Sequence, residues 1–245
     1  MSSEPLLDSL LLRHDTWRGR NRSLRKHVVA TGNNSLDGLL LGGWPVSALT
    51  ELVTQQDGIG ELSILLPTIK HYASEDKLCV WLDPPYQPYA PSLVNAGIPL
   101  DKLLIVRSKN SKEWLWAAEQ SIRGKALLFA WSNKAQPRYS ALRKLQLAAT
   151  ESLAPAFLFS PHNALKTHSP ALLRIELESL EPNALSITLH KLRGKMPGAK
   201  IQISVGDVMA ERMLLDKLPV NIHYPKSQQS GYPLSKKDDL QSLNT

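Results

Sequence analysis

The stretch TGNNSLDGLLLGGWPVSALTELVTQQDGIGELSILL, residues 31–66, decides how this chain is read. Its centre, Leu49–Thr54, is an apolar run of strand length. A glycine-containing loop follows, and then a leucine-rich segment of helical spacing. Strand, glycine loop and helix in that order form the frame of a phosphate-binding loop, GxxxxGK[ST]. In a working loop the glycines let backbone N–H groups converge on phosphate. The lysine neutralises the β/γ charge and the hydroxyl holds magnesium. Aligned on Gly60, Gln55 stands for the first glycine, Glu61 for the lysine and Leu62 for the Ser/Thr, with Gly58 retained inside the loop. The lysine-to-glutamate change reverses a charge where phosphate would approach closest. Like charges about 4 Å apart repel by roughly 4 kcal/mol at an effective dielectric near 20. The helix start still favours an anion, and Glu61 and Asp57 are able to be that anion themselves.

Outward from this loop the pattern is α/β. Strand-length apolar runs recur at Lys77–Leu82, Lys102–Val106, Ala126–Trp131 and Ala156–Phe159. Helical periodicity marks Glu61–Ala73, Ser111–Arg123 and Arg138–Glu151. Such alternation predicts a mostly parallel sheet covered on both faces. Pro67 removes a hydrogen bond inside the first of these helices and is expected to kink it. Leu172–Leu177, Leu185–Leu192 and Lys200–Val205 then read as antiparallel strands. There Ile175 and Leu177 alternate with Arg174, Glu176 and Glu178, the pattern of a sheet solvated on one face. The fold expected is an α/β, RecA-like, mostly parallel sheet flanked by helices, with an antiparallel C-terminal extension.

Two further positions bear on nucleotide hydrolysis. The second core strand should end in a water-activating acid. In CVWLDPPYQPY Asp83 survives, but Pro85 falls where the glutamate belongs. The strand in ALLFAWSN, residues 126–133, carries no metal-binding acid at its end. With the lost lysine these substitutions predict a chain that is not an enzyme and takes no cofactor. Elsewhere, His162 and His168 have no cysteine or acid cluster beside them in sequence, so no metal site is expected. Ser160-Pro161 and Ser169-Pro170 lack a nucleophile elbow, and no triad is visible. Cys79, the single cysteine, lies in an apolar strand and is expected in the core.

Residues 1–29 read as an arm, 30–218 as the core and 219–245 as a disordered tail rich in polar residues and proline. In the arm, Leu6, Leu7, Leu10 and Leu11 recur at the spacing of a short amphipathic helix. Arg13, Arg18, Arg20, Arg22, Arg25 and Lys26 follow, opposed only by Asp15. The net charge of +7 suits acidic partners, nucleic acid or protein, and equally plain solubility. One cysteine, no secretory leader and no long apolar run lead to the expectation of a cytoplasmic protein with no membrane contact.

Three segments are candidates for partner binding. In WRGR, Trp17, Arg18 and Arg20 are residue types favoured at interfaces, unless Trp17 packs back on its own sheet. LHKLRGKMPG, residues 189–198, gathers Lys191, Arg193 and Lys195 beside His190 at a strand end and hairpin. This reads equally as a partner or DNA-phosphate contact and as a solvated hairpin. Arg138, Arg143 and Lys144 line an ordinary amphipathic helix with Leu142, Leu145 and Ala149 inward. The rigid PPYQPY run (84–89) is either a binding edge or a stiff connection.

TGNNSLD (31–37), GGWP (42–45) and TEL (50–52) resemble the lead-in to a RecA core, and the blocks WRGR (17–20), LGGWP (41–45), DGIGELSILLP (57–67), VWLDPPYQPYAPSL (80–93), WAAEQSIRGKALLFAW (116–131), LRKLQLAA (142–149), SPALLRIEL (169–177) and KLRGKMPG (191–198) resemble, in order, the ImuA family. These are RecA-like, SulA-related accessories of bacterial damage-induced mutagenesis. The resemblance implies a non-catalytic role in translesion synthesis beside an ImuB-like Y-family protein, an error-prone C-family polymerase and RecA, with DNA contacted at most indirectly. SulA-type inhibition of division through FtsZ is the alternative it leaves, and modulation of the RecA filament a second. SulA-like proteins lack the WRGR block and the long C-terminal strands.

Overall fold

The computed structural model describes residues 27–132, 135, 137–180 and 183–204. Trp17, Arg18 and Arg20, the rest of the arm before His27 and the tail beyond Ser204 lie outside the described residues. Its first element is a short ribbon in which β1 (Val28–Val29) pairs antiparallel with β2 (Trp44–Pro45). Between them the TGNNSLD block builds α1 (Asn34–Leu39). Asn33 caps it by accepting from the Leu36 amide at 3.1 Å, and Asp37 reaches back to accept from the Thr31 amide at 2.8 Å. Both bonds satisfy amides near a helix start. Gly43 is obligatory in LGGWP, because at φ 136° a Cβ there would stand 2.2 Å from the Val29 carbonyl oxygen.

The main sheet has eight strands. They are β3 (Leu49–Thr54), β4 (Cys79–Leu82), β5 (Leu103–Val106), β6 (Leu127–Trp131), β7 (Ala156–Pro161), β8 (Leu173–Leu180), β9 (Ala184–Leu192) and β10 (Lys200–Ser204). Their order is β10-β9-β8-β3-β7-β6-β4-β5, parallel from β5 to β8 and antiparallel across β8-β9-β10. A large, mostly parallel sheet with an antiparallel extension at one edge was expected, and the strand ends differ from the sequence reading by a few residues at most.

Alternation along the strands sends side chains to two faces. One face is apolar and aromatic. Phe129 stacks on Phe157 at 5.2 Å, Trp131 stacks on Phe159 at 4.5 Å, and Trp44 meets Phe157 edge-on. It is covered by α1 and by α2 (Leu66–Ser74), which contribute Leu36, Leu39, Ile69 and Tyr72. The other face carries Leu49, Leu82, Leu128 and Leu158 beneath α4 (Ser111–Arg123) and α5 (Tyr139–Glu151), preceded in the chain by the short α3 (Ala90–Asn95). On α5, Leu142, Leu145 and Ala149 are buried, and Lys144 reaches across to Glu119 of α4 at 2.6 Å.

Two expectations need correction. Glu61–Ala73 is not one kinked helix. A 3-10 turn, Ser63–Leu65, precedes α2, and Pro67 sits in the first turn of α2. There its missing N–H has no intrahelical partner to lose. Nor is one face of β8 solvated: Arg174 and Glu176 are 7% and 9% exposed. The chain between β7 and β8, residues 162–172, crosses back over them as a strap.

Candidate functional site

The loop after β3 lies at the carboxyl ends of the parallel strands, the edge where open α/β sheets usually bind ligands. Here its own residues fill it. Glu61 is buried, and its Oε1 accepts the Gly58 amide at 3.1 Å. Its Oε2 is buried without a hydrogen-bond partner. A carboxylate therefore occupies a backbone amide of the glycine loop. Gly58 and Gly60 both have positive φ, 81° and 94°, so the backbone still turns as a glycine loop. Gln55 is exposed and Leu62 packs against the aromatic core. No hydroxyl stands at position 62 to hold magnesium.

The neighbouring strand ends are similarly occupied. Asp83, at φ 53° after β4, accepts the Ser108 amide at 2.8 Å and the Ser108 hydroxyl. Arg107 donates to the carbonyls of Pro84 and Tyr86 and ties the PPYQPY run down. Tyr86 and Tyr89 remain exposed on it. After β6, the Ser132 hydroxyl donates to the Phe159 carbonyl at 2.9 Å. Each polar group that survives here serves the backbone.

The face of β3, β8 and β9 beneath the strap is different. Strand register aligns Glu51 of β3 with Arg174 of β8, and Arg174 with Lys191 of β9. Arg174 Nε lies 3.0 Å from Glu51 Oε2, an ion pair not aligned as a hydrogen bond. The guanidinium also donates to the Thr167 and Ala164 carbonyls at 2.8 and 2.5 Å. Lys191 Nζ donates to the Ser169 carbonyl at 2.8 Å. Glu176 holds His162 Nδ1 and His190 Nε2, one on each oxygen, both at 2.9 Å. The strap 162–172 is thus fastened to the sheet at Glu176, Arg174 and Lys191. Burial in its surroundings, and then the Arg174 charge, hold the Lys191 amine below its usual pKa, partly offset by Glu51.

A register shift between Arg174 and Ile175 leaves His190 as an extra residue in β9. This bulge allows His190 and Lys191 both to reach toward the strap and its cleft. Bulges re-aim side chains in this way next to many functional sites. An open cleft of about 370 Å³ lies between the hairpin after β9, residues 170–172 and Gln146 of α5. Its rim is His190, Lys191, Arg193 and Lys195, and its walls are largely Pro170, Leu172, Leu192 and Pro197. None of the described lining residues is acidic. The three basic residues singled out from the sequence therefore share one cleft. Lys195 Nζ donates to the Gly38 carbonyl at 2.7 Å, capping the end of α1.

Sequence reasoning missed Glu51, Arg174 and Glu176. Alternation alone assigned the last two to solvent, because the strap that covers them has no periodicity to announce it. Among the described residues no group of three or more His, Cys, Asp or Glu side chains is arranged to hold a metal ion. Among them, too, no helix is long and apolar enough to cross a membrane.

Fold and site together define an α/β protein with a large mixed sheet, a self-filled glycine loop at one end and a basic cleft at the other. No protein-family model matches the chain, and no curated protein is significantly similar to it.

Proposed function

We propose that the chain is a non-catalytic accessory protein of damage-induced mutagenic translesion synthesis, a RecA-like core that bridges an ImuB-type Y-family protein to RecA or an error-prone C-family polymerase. The observation that carries this reading is the Glu61 carboxylate on the Gly58 amide. A fold that retains the turn of a phosphate loop but seats its own acid there is better suited to holding partners than to turning over nucleotide. The central β3 with its glycine loop and the antiparallel extension at one sheet edge support a RecA-like core. The ordered sequence blocks direct the reading toward ImuA.

The test is an affinity pull-down with the tagged full chain from DNA-damaged bacteria, partners being identified by mass spectrometry. An ImuB-like protein, the accessory polymerase or RecA as dominant partners is the expected outcome. FtsZ alone would replace this reading with SulA-type division inhibition.

A further inference from the structure

The cleft at the β9 hairpin combines features that the accessory reading leaves unassigned. Its rim is cationic and its walls are apolar. The carboxylates of the adjoining strand row are already engaged, Glu51 with Arg174, and Glu176 with His162 and His190. Lys191 stands next to Arg174 in that row, so two cations share the one Glu51 carboxylate. Burial first, and then the Arg174 charge, lower its basicity, and Glu51 offsets them only in part. An incoming anion would add negative charge in a partly desolvated place, where it counts for more than in water.

The apolar part of the cleft decides which anion. Phosphodiester chains are matched by basic grooves with aromatic platforms for the bases; none of the described lining residues is Phe, Tyr or Trp, and the one imidazole, His190, is held by Glu176. Pro170, Leu172, Leu192 and Pro197 instead offer a surface for aliphatic side chains. Met196, 83% exposed between Lys195 and Pro197, adds a soft apolar contact of the adaptable kind found on peptide-binding surfaces. Leu41, 53% exposed, lies alongside the same hairpin at Gly194. The cavity, about 370 Å³, has room for a few side chains.

We infer that this cleft is a docking site for a short acidic peptide segment of a partner protein, in which Asp or Glu residues flank an aliphatic anchor. The anchor sits on the proline and leucine walls, and the acids meet Lys191, Arg193 and Lys195. The inference deepens the accessory reading and rests on it in taking the ligand to be a protein.

The test is selection of a random displayed dodecapeptide library on the full-length chain. The winning peptide is then synthesised with a fluorophore and titrated by anisotropy. The expected result is enrichment of Asp/Glu around Leu, Ile, Val or Met. Arg193→Glu should weaken the winner at least tenfold, Met196→Asp should weaken it severalfold, and added salt should weaken it further. Both substitutions fall on exposed hairpin positions, and thermal melts should show that the variants remain folded. Enrichment without acidic residues, or an acidic winner indifferent to both substitutions, overturns the inference. So does a labelled single-stranded oligonucleotide that binds in an Arg193-dependent manner while no peptide is enriched. If the peptide fails but the damage-response partners are still pulled down, the accessory reading stands on another surface. If the peptide binds but only FtsZ is recovered, the cleft stands and the accessory reading falls.

Discussion

The two ends of the main sheet make opposite use of the same ingredients. At the carboxyl ends of the parallel strands, Glu61, Asp83 and Ser132 turn inward and satisfy neighbouring backbone, which closes the edge where such sheets usually take ligands. At the amino ends, Lys191, Arg193 and Lys195 surround an open cleft. A carboxylate occupies the amide of the glycine loop at one end, and cations gather around a cleft at the other. A fold's usual binding edge is thus a prior, which local charge can overrule.

The contrast is most exposed to test at the buried pair beneath the strap. Glu51→Ala or Arg174→Ala leaves the other charge buried without its partner and is expected to cost about 3–5 kcal/mol. The double replacement Glu51→Leu/Arg174→Met should cost clearly less, because both charges go together. Urea denaturation of the four proteins measures this. Equal losses in single and double variants would mean that the pair does not hold the strap. Because the strap supplies Pro170 and Leu172 to the cleft, the single variants should also weaken cleft binding.

The opposite end predicts a smaller effect. Glu61→Ala frees the Gly58 amide and should destabilise the chain by about 1–3 kcal/mol, the range for an unsatisfied buried hydrogen-bonding group. Isothermal titration should still detect no ATP binding, since neither lysine nor hydroxyl is restored. If the variant binds ATP, the glutamate alone was closing the loop.

The smallest effect has the other sign. Leu41 follows α1 at φ 62°, where the Gly42 amide donates to the Asp37 carbonyl in the manner of a glycine-terminated helix. Leu41→Gly relieves a left-handed conformation costing about 1–2 kcal/mol, offset by roughly 0.5–1 kcal/mol of extra freedom in the unfolded chain. A gain of roughly 0.5–1 kcal/mol in stability, with weaker binding of the acidic peptide, would show that strain is kept there for contact. A gain with binding unchanged would confine Leu41 to the helix cap.

Much of this was readable beforehand, and unevenly so. Leu49–Thr54 was read to the residue because a short segment carrying Leu49, Leu52 and Val53 ends sharply at the polar Gln55-Gln56-Asp57 loop. The loop substitutions at Gln55, Glu61 and Leu62 could be read one by one, since a phosphate loop is a local pattern. Pro67 was misread as a kink because periodicity extended the helix backward past its true start. Arg174 and Glu176 were misplaced because period-two alternation says which residues share a face, not what lies over it.

Composition and local pattern were therefore enough for the α/β class, the places of most strands along the chain and the residue types in the glycine loop. Each of these depends on residues close together in the chain. Three-dimensional packing was needed to bring Glu51 beside Arg174, 123 positions apart, and to lay the strap on both. It was also needed to gather His190 to Pro197 against Gln146 and Leu172 around one cleft. A cleft is made of surfaces that meet across the fold, and no spacing along a chain encodes that meeting.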